Sequence, residues 1–537
     1  MTEWWKERVI YQIYPRSFQD SNGDGIGDIP GIISRLDELQ ALGIGAIWLS
    51  PVYCSPNADN GYDISDYRGI NPEYGTMADM ERLIAEAGKR DIKIIMDLVV
   101  NHTSDQHKWF QQSRDKDSPY RDYYIWKKGK REGGPPNNWT SFFAEKCWEF
   151  DELSGEYYLH LFAKGQPDLN WRNPQVLLEV EQILRFWLDK GVAGVRCDVI
   201  NVLWKDSLED GKKSLMLTGS EYYLARPGTH EILKKLRSEV LDKYGAFTVG
   251  ETAFTTPQTA HDFTDRERGE LDQIFPFEHM ETDQIVVKWF RKPFRPKPFF
   301  EALAKWQNEL DFNAVYLENH DQPRSVSRFG DDKTYWEKSA KCLATLLLTL
   351  RGTPFIYQGQ EIGMTNFDFK SMIELNDVES HNVNAMAKGL HIPGWYRWRM
   401  MKGTSRDNAR TPYQWDGGEG AGFTNGKPWL GINANKGKIN FTAQEDDPES
   451  VLSWYKTLIA FRKATPDLVE GEFKVIKITD QMFVYRRGKS HLVAVNLSDK
   501  PAHMGARGTL CLSNYGRGKY NGVLFPYEAI VLRSEKA

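Results

Sequence analysis

The stretch GVRCDVINVL, residues 194–203, has the character of a core strand with two charges inside it. Its apolar composition is typical of a strand buried in a sheet. Arg196 and Asp198 are two positions apart, so on a strand both side chains point to the same face. A buried arginine or aspartate costs several kcal/mol unless another group compensates its charge. This stretch therefore indicates a core strand that carries functional groups.

Seven further runs of strand character alternate with helical patterns along the chain. The strand runs are VIYQIYP, AIWLSP, IKIIMDLVV, FTVGE, LDQIFPF, AVYLENHD and TPFIYQGQE. The connections are long enough for helices such as VLLEVEQILRFWLDKG, which predicts parallel strands. Eight such units predict an α/β fold of the (β/α)8 TIM barrel type. A doubly wound open sheet is the alternative, but no G-x-G-x-x-G follows the first strand.

Three parts of the chain depart from this alternation. Residues 103–171 are rich in Trp, Tyr, Asn and Gly and contain no clear βα unit, which indicates a B domain inserted after the third strand. A second irregular stretch, about 365–438, follows the eighth strand. From residue 466 short alternating strands predict a C-terminal antiparallel β domain, 466–537. The catalytic barrel would then comprise 1–102 and 172–465.

The composition excludes several classes of function. A net charge of −5 over 537 residues argues against nucleic acid as the main partner. The aromatic content of 13% fits either a large core or a site that stacks sugar rings. The five cysteines fit neither a disulfide framework nor a zinc site. The start MTEWWKERVI lacks an apolar signal region, and no window approaches the ~20 apolar residues of a membrane span. We expect a soluble cytoplasmic monomer without a membrane partner.

Polar residues follow four of the predicted strands. They are Asn101 and His102, then Asp198, then Glu251, and finally His320 and Asp321. In a (β/α)8 barrel the C-terminal ends of the strands form one face, and the active site lies there. Three carboxylates, two histidines and Arg196 should therefore converge. A structural ion pair would explain one buried acid but not four independent strand ends.

Glycoside hydrolysis requires such a set of groups. One carboxylate attacks the sugar, and a carboxylic acid ~5 Å away protonates the leaving oxygen when configuration is retained. A third carboxylate would raise the pKa of that acid by repulsion and keep it protonated near neutrality. Arg196 would hold the nucleophile ionised and oriented, which explains an arginine beside Asp198.

The chain resembles the α-amylase superfamily (glycoside hydrolase family 13), in its oligo-1,6-glucosidase and α-glucosidase branch. The motifs that carry the resemblance run nearly end to end: VIYQIYPRSFQDSNGDGIGD, AIWLSPVY, DNGYDISDY, DLVVNHTS, QPDLNW, GVRCDVIN, GETA, ENHDQPR, GTPFIYQGQEIGM and RDNARTPYQW. The resemblance implies Asp198 as nucleophile, Glu251 as general acid/base and Asp321 as transition-state stabiliser. It implies a retaining, exo-acting α-glucosidase that releases glucose from the non-reducing ends of short α-glucosides.

The resemblance also implies a substrate pocket. The matching positions are His102, Arg196 and His320 for the glucosyl unit, and Asp59, Tyr62 and Arg406 for closure around its non-reducing end. Tyr62 would stack under the sugar ring, and Phe162 would line the wall, with Phe143 as a further candidate. The stretch FFAEKCWEF departs from the Gly-rich version expected there, which puts the role of Phe143 in doubt.

Val199, directly after the nucleophile, bears on the linkage. In this branch valine at this position accompanies α-1,6 preference, whereas alanine accompanies α-1,4 preference. The physical idea is that a β-branched side chain narrows the +1 site. The alternative is a valine chosen for strand packing. We therefore predict that α-1,6 linkages, as in isomaltose and isomalto-oligosaccharides, are preferred.

The loop DSNGDGIGD, residues 20–28, has the spacing of oxygen ligands for a hard cation. Asp20, Asn22, Asp24 and Asp28 lie at near-alternating positions with glycines between them. The twelfth position is Gly31 rather than glutamate, which argues against a true EF-hand. The resemblance implies structural Ca²⁺ with the Ile26 carbonyl as a further ligand. A polar turn without metal is the alternative.

Three other functions stay open at this point. The segment KWFRKPFRPKP, residues 288–298, carries five basic residues and is interpreted as a solvated loop or as a phosphate site. The phosphate site would indicate trehalose-6-phosphate hydrolase, a relative that also has valine after its nucleophile. A sucrose-active or transglycosylating enzyme would capture the same intermediate with a sugar. A non-catalytic transporter subunit would have lost the acids, which are all present here.

Overall fold

Eight parallel strands form the centre of the protein, as predicted. The computed structural model describes residues 3–143, 145–214, 216–505 and 507–534. The strands are β1 Ile10–Ile13, β2 Ala46–Leu49, β3 Lys93–Leu98, β4 Gly194–Cys197, β5 Phe247–Glu251, β6 Gln273–Phe275, β7 Ala314–Val315 and β8 Thr353–Tyr357. Their order in the sheet is β6-β5-β4-β3-β2-β1-β8-β7, so each strand pairs with its sequence neighbour and β1 pairs with β8.

The sheet is a nearly closed barrel. Its two ends, β6 and β7, meet through Gln273, whose Nε2 donates to the carbonyl of Asn313 at 3.4 Å and to Thr353 Oγ1 at 3.0 Å. Side chains of all four residues of β1 and β2 are buried, as expected for strands covered on both sides. The fold is therefore a (β/α)8 barrel whose strands all point to one face.

Helices return the chain from each strand to the next. The main helices are Ile29–Ser34, Leu36–Leu42, Met77–Lys89, Pro174–Asp189, Pro227–Leu236, Pro257–Thr264, Pro296–Glu309, Trp336–Thr349 and Val451–Lys463. Met77–Lys89 shows why they form where they do. Thr76 and Asp79 make a capping box at its start, and Met80, Leu83 and Ala87 form its buried face.

The segment after β3 forms a small separate sheet. Its strands Trp126–Lys127, Glu156–Leu159 and Trp148–Asp151 pair in that order and are antiparallel. The chain returns from this segment to the barrel at Asp168, which forms a β-bridge with His102. The inserted segment therefore rests directly on the strand end that carries a predicted substrate-binding histidine.

The C-terminal part forms an antiparallel sheet, as predicted. Its strands are Phe473–Ile478, Met482–Arg487, His491–Asn496, Thr509–Ser513 and Ala529–Arg533. Phe483 of this sheet stacks on Phe300 of the barrel helix Pro296–Glu309, with ring centroids 5.1 Å apart. The domain boundaries drawn from the sequence stay predictions.

Two excursions from the barrel approach the C-terminal face of the strands. A β-hairpin, Gln284–Ile285 and Val287–Arg291, follows β6. A helical hairpin, Val378–Gly389 and Gly394–Thr404, follows β8. The interpretation of the basic segment 288–298 as a loop was wrong, because its first four residues lie in a strand and Pro296 begins a helix. Among the described residues, no helix combines the length and the apolar character needed to cross a bilayer.

Candidate active site

One buried arginine joins three carboxylates from three neighbouring strands. Arg196 Nη1 lies 2.7 Å from Asp97 Oδ1 and 2.6 Å from Asp198 Oδ1. Its Nη2 donates to Glu251 Oε2. Asp198 and Glu251 thus bind adjacent nitrogens of one guanidinium, which brings the two carboxyl groups close together, as a retaining glycosidase requires.

The chain turns sharply at Asp198. Strand β4 ends at Cys197, and the Asp198 backbone N–H still donates to the Leu98 carbonyl at 3.0 Å. Val199 then adopts a left-handed conformation with φ 35° and ψ 42°. The prediction of a strand through residue 203 was therefore wrong in extent, because a short 3-10 helix, Ile200–Val202, follows the turn. Asp198 consequently stands at the open end of the barrel.

Burial and charge act in opposite directions on the two central acids. Burial raises the pKa of Asp198 well above its ordinary value, and the charge of Arg196 lowers it. The pKa of Glu251 is also raised by burial, with Arg196 again opposing and Asp321 and Asp97 adding repulsion. Burial and the charge of Arg196 thus oppose each other at Asp198, and the role of Arg196 in holding Asp198 ionised stays a prediction. Burial and the repulsion between the three acids favour a proton within this cluster.

Asp321 occupies a different electrostatic environment. Burial acts to raise the pKa of Asp321, but His320, Arg406 and Arg410 together hold it well below its ordinary value. Arg410 Nη2 donates to Asp321 Oδ1 at 2.7 Å, and Arg406 Nη1 lies 3.5 Å from the same oxygen. Asp321 is therefore an anion, whereas burial and repulsion favour a proton on the carboxylates around Arg196. Such a difference between neighbouring acids is typical of acid and base assignments in active sites.

His320 and Tyr62 stack on each other beside these acids. Their ring centroids are 5.2 Å apart and the ring planes differ by 4°. Burial lowers the pKa of His320 to about 3, so its imidazole is neutral. Gln12 Nε2 lies 2.7 Å from His320 Nδ1, and the Tyr62 hydroxyl donates to Asp97 at 3.0 Å. One face of Tyr62 is therefore covered by a histidine.

The other predicted pocket residues converge from the segments after β2 and β3, from the insertion and from the segment that follows the helical hairpin after β8. Arg406 Nη2 donates to Asp59 at 3.0 Å and closes the site from opposite sides. His102 Nε2 lies 3.1 Å from Gln166 Nε2, and the His102 ring is 5.1 Å from Phe162. Burial lowers the pKa of His102. All eight predicted substrate-binding residues are thus brought to this region with the three catalytic candidates.

Phe143 also reaches the pocket despite its unusual sequence context. Its ring lies beneath the Arg406 guanidinium at 5.4 Å and edge-on to Phe162 at 5.7 Å. Val199 is 7% exposed and packs in the same apolar cluster as Phe143 and Phe162. The side chain after the nucleophile therefore faces the inserted segment.

Several site residues were missed by sequence reasoning. Asp97 is the clearest case, because it lies in the apolar run IIMDLVV just as Arg196 lies in GVRCDVI. Its carboxylate accepts from Trp48 at 2.9 Å in addition to Arg196 and Tyr62. Arg410, Gln166, Asp377, Glu379 and Lys288 were not selected as site residues either. Most of these residues do not follow a strand. The rule that identified the other site residues, a polar side chain directly after a predicted strand, therefore does not apply to them.

A charged chain extends from Arg406 toward the outside of the pocket. Arg406 Nε donates to Asp377 at 2.8 Å and lies 3.8 Å from Glu379. Glu379 in turn binds Lys288 at 2.6 Å, and Arg291 lies 3.6 Å from Asp283. Two of the five basic residues of segment 288–298 thus have carboxylate partners. A phosphate group would have to compete with these carboxylates for Lys288 and Arg291.

The loop 20–28 supplies oxygen atoms, and its carboxylates accept local hydrogen bonds. Asp20 accepts from the backbone N–H groups of Asn22, Gly23 and Gly25. The remaining candidate positions are held by similar local bonds: Asp24 accepts from Ile26, and Asp28 accepts from Ser21 and Gly31. No three His, Cys, Asp or Glu side chains are grouped as for a metal within the described ranges. The oxygen donors of Asp20, Asn22, Asp24, Asp28 and the Ile26 carbonyl fit calcium, and calcium stays a prediction.

A cavity lies between the insertion and the segment that follows β4. It has a volume of ≈ 390 Å³ and is lined by residues that include Trp126, Trp171 and Lys205. Lys205 is 5% exposed and binds Asp168 at 2.6 Å. Of the two acids that line the cavity, Asp122 and Glu156, the second is bound to Arg121, so this cavity lacks the free acid pair that catalysis needs.

Comparison with known proteins agrees with this geometry. The model of the alpha amylase catalytic domain matches residues 12–471. The chain is 51% identical over 514 residues to an oligo-1,6-glucosidase of Parageobacillus thermoglucosidasius, covering 93% of this chain and 91% of the relative. It is 44% identical to a trehalose-6-phosphate hydrolase of Bacillus subtilis, with 100% and 99% covered. A solved trehalulose synthase superposes with a TM-score of 0.96 at 42% identity, over 99% of this chain and 100% of that one.

Proposed function

The chain belongs to the alpha-amylase family of glycoside hydrolases, and we propose that it is a retaining, exo-acting α-glucosidase that prefers α-1,6 linkages. Isomaltose and short isomalto-oligosaccharides are the substrates. The observation that carries the proposal is the Arg196 guanidinium, which holds Asp198 and Glu251 together while Asp321 is held separately by Arg410. A non-catalytic binding protein has no need for such a set.

In the first step the Asp198 carboxylate attacks the anomeric carbon of the terminal glucose. The bond between that carbon and the glycosidic oxygen breaks, and Glu251 donates its proton to the leaving oxygen. This leaves a glucosyl ester on Asp198 and a free aglycone. The shared proton of the buried cluster must therefore lie on Glu251 when substrate is bound, which leaves Asp198 ionised.

In the second step water attacks the anomeric carbon of the ester. Glu251, now ionised, takes a proton from that water, and the bond from the sugar to Asp198 breaks. The products are glucose of retained configuration and the original enzyme. Asp321 stays an anion throughout, because Arg406 and Arg410 hold its pKa low, and it stabilises the positive charge that develops on the sugar.

The exo mode follows from the closed end of the pocket. The ion pair between Asp59 and Arg406, at 3.0 Å, joins the two sides of the site where the non-reducing end would lie. A buried pair of this kind also presents charged hydrogen-bonding groups to sugar hydroxyls. Only one glucosyl unit then fits before the acids, and the aglycone extends outward.

The linkage preference is supported by Val199 and by the relatives named oligo-1,6-glucosidase. One of them, from Halalkalibacterium halodurans, is 49% identical with 99% of both chains covered. Trehalose-6-phosphate hydrolase is the alternative, but Lys288 is already bound to Glu379. Sucrose conversion or transglycosylation is a further alternative, because a sugar hydroxyl can replace water in the second step. We also propose structural calcium in the loop 20–28 and a cytoplasmic monomer.

The test compares initial rates of glucose release from isomaltose, maltose, sucrose and trehalose 6-phosphate. We expect isomaltose to be cleaved fastest and Asp198→Asn to abolish hydrolysis of every substrate. A clear preference for trehalose 6-phosphate would instead make this enzyme a phosphodisaccharide hydrolase on the same acids. Wild-type turnover in Asp198→Asn would refute the assignment of the nucleophile.

A further inference from the structure

The two reacting carboxylates lie just beyond the last backbone pair that β4 and β5 share. Strands β4 and β5 end their pairing at Cys197 and Gly250. Asp198 and Glu251 follow these residues directly, Glu251 still pairs with Phe275 of β6, and the chain leaves the sheet after each acid. The sheet therefore fixes where the two loops begin, but another contact must fix their spacing above it.

Asn201 makes that contact. Its side chain is buried, with the residue 1% exposed, and it bridges to the other loop in both directions. Asn201 Nδ2 donates to the Ala253 carbonyl at 2.8 Å, and Asn201 Oδ1 accepts from the Ala253 N–H at 3.1 Å. The amide thus pairs with the backbone as a neighbouring strand would. Asn201 lies three residues after Asp198, and Ala253 lies two residues after Glu251.

The backbone around this bridge is strained at three places. Val199, Ala225 and Phe254 have positive φ values of 35°, 46° and 56°. Such values are unfavourable for residues other than glycine, and most of all for a β-branched one. The Ala225 N–H donates to the Asn201 carbonyl at 2.7 Å, so all three strained residues adjoin Asn201 or its partners. Strained backbone persists only where surrounding contacts determine it, and it collects at functional sites.

Arg196 cannot perform the same task throughout the reaction. It binds the carboxylate oxygens of Asp198 and Glu251, and one oxygen of Asp198 becomes an ester oxygen in the intermediate. Glu251 must meanwhile move its proton to and from oxygen atoms of the substrate. The distance between the two loops has to be maintained while these contacts change, and the Asn201 amide binds only backbone atoms of Ala253.

We propose that Asn201 is a positioning residue that sets the distance between the nucleophile loop and the acid loop. The inference rests on the proposed function of Asp198 and Glu251. Without the amide the segment after Glu251 loses its tie, and the Glu251 carboxyl, the more exposed of the two acids, moves relative to the glycosidic oxygen, whereas the Asp198 N–H stays bound to the Leu98 carbonyl. A misplacement of about 1 Å can lower a rate by about 100-fold. The rates of the steps that need Glu251 as an acid should therefore decrease most.

The leaving group separates this role from general damage to the fold. Isomaltose has a poor leaving group and needs a proton from Glu251. α-Glucosyl fluoride releases fluoride, which needs much less help from an acid, and it forms the same ester on Asp198. The ratio of kcat/KM between the two substrates does not depend on the fraction of folded enzyme, because both rates are measured on one preparation.

The test measures this ratio for wild type, Asn201→Ala and Asn201→Ser. We expect the ratio of isomaltose to α-glucosyl fluoride activity to fall at least about tenfold in Asn201→Ala, as for loss of acid catalysis. The ratio should fall less in Asn201→Ser, because the serine hydroxyl can still accept a hydrogen bond from the Ala253 N–H. The alkaline limb of the isomaltose pH profile should also shift, since the environment of Glu251 changes.

Asn496→Ala is the matched control. Asn496 is also buried and binds two backbone carbonyls, of Lys500 and Phe525, at 2.7 Å each, but in the C-terminal domain. The ratio of isomaltose to α-glucosyl fluoride activity in Asn496→Ala should equal that of wild type. Equal loss on both substrates in the Asn201 variants, including loss to background, would overturn the inference. If wild type cleaves α-glucosyl fluoride but not isomaltose, the proposed α-1,6 preference is wrong. The ratio is then measured with the α-glucoside that the enzyme does cleave in place of isomaltose.

Discussion

Replacing Asp97 by asparagine removes one negative charge from the group around Arg196 without changing its shape. Asp97 and Asp198 bind the same nitrogen of Arg196, at 2.7 and 2.6 Å. Their oxygens are therefore no more than about 5 Å apart, and at an effective dielectric constant of about 20 the repulsion is about 3 kcal/mol. One pKa unit corresponds to about 1.4 kcal/mol, so the pKa of Asp198 should fall by up to about 2 units.

The assay is the pH dependence of kcat/KM for isomaltose. Its acid limb reports the ionisation of Asp198 in the free enzyme, and its alkaline limb reports the loss of the proton from Glu251. The charge of Asp97 raises the pKa of both acids. Both limbs of Asp97→Asn should therefore move to lower pH, and the acid limb should move by up to about 2 units.

A folding cost accompanies this change and can be measured separately. Asp97 accepts hydrogen bonds from Trp48, Tyr62 and Arg196, and asparagine places an N–H₂ group against one of these donors. We expect a loss of about 1–3 kcal/mol in the free energy of unfolding by urea. Asp272→Asn is the control, since Asp272 binds Arg237 at 2.9 Å just before β6 at the opposite end of the barrel. The reasoning is refuted if the limbs of Asp97→Asn stay in place or move upward, or if the control moves them equally.

Three further outcomes are expected. Val199→Ala should raise activity on maltose relative to isomaltose, because the smaller side chain widens the +1 site, and an unchanged ratio would assign Val199 to packing alone. A chelator should lower the melting temperature if the loop 20–28 holds calcium, and an unchanged melting temperature would count against the metal. Lys205→Met should lower the free energy of unfolding by about 3–5 kcal/mol, since it leaves Asp168 charged and buried. A loss below about 1 kcal/mol in urea unfolding would mean that water reaches Asp168.

The barrel could be predicted because its strands carry local signals. Each of the eight strands is a short apolar run, and periodicity changes where the next helix begins. The acids were found by one rule, that polar residues at the ends of parallel strands meet at one face. Asp198, Glu251 and Asp321 obey that rule. Asp97 lies inside β3 rather than after its end, so this rule did not select it.

The remaining contacts depend on long-range geometry that no local pattern encodes. Asp377 and Glu379 lie in an irregular segment after β8, and their pairing with Arg406 and Lys288 joins parts of the chain that are distant in sequence. The end of β4 at Cys197 runs against local propensity, because a β-branched residue follows in a left-handed conformation. Tertiary contacts, among them those of Asn201, decide the backbone there.

The central claim is that Asp198 forms a covalent bond to glucose. A fluorinated α-glucosyl fluoride that forms the ester quickly and hydrolyses it slowly would trap this intermediate, and mass spectrometry of the digested enzyme would locate it. The account predicts one added fluoroglucosyl unit on Asp198, within the peptide that contains GVRCDVINVL. A label on another carboxylate, or turnover without any labelled enzyme, would contradict it.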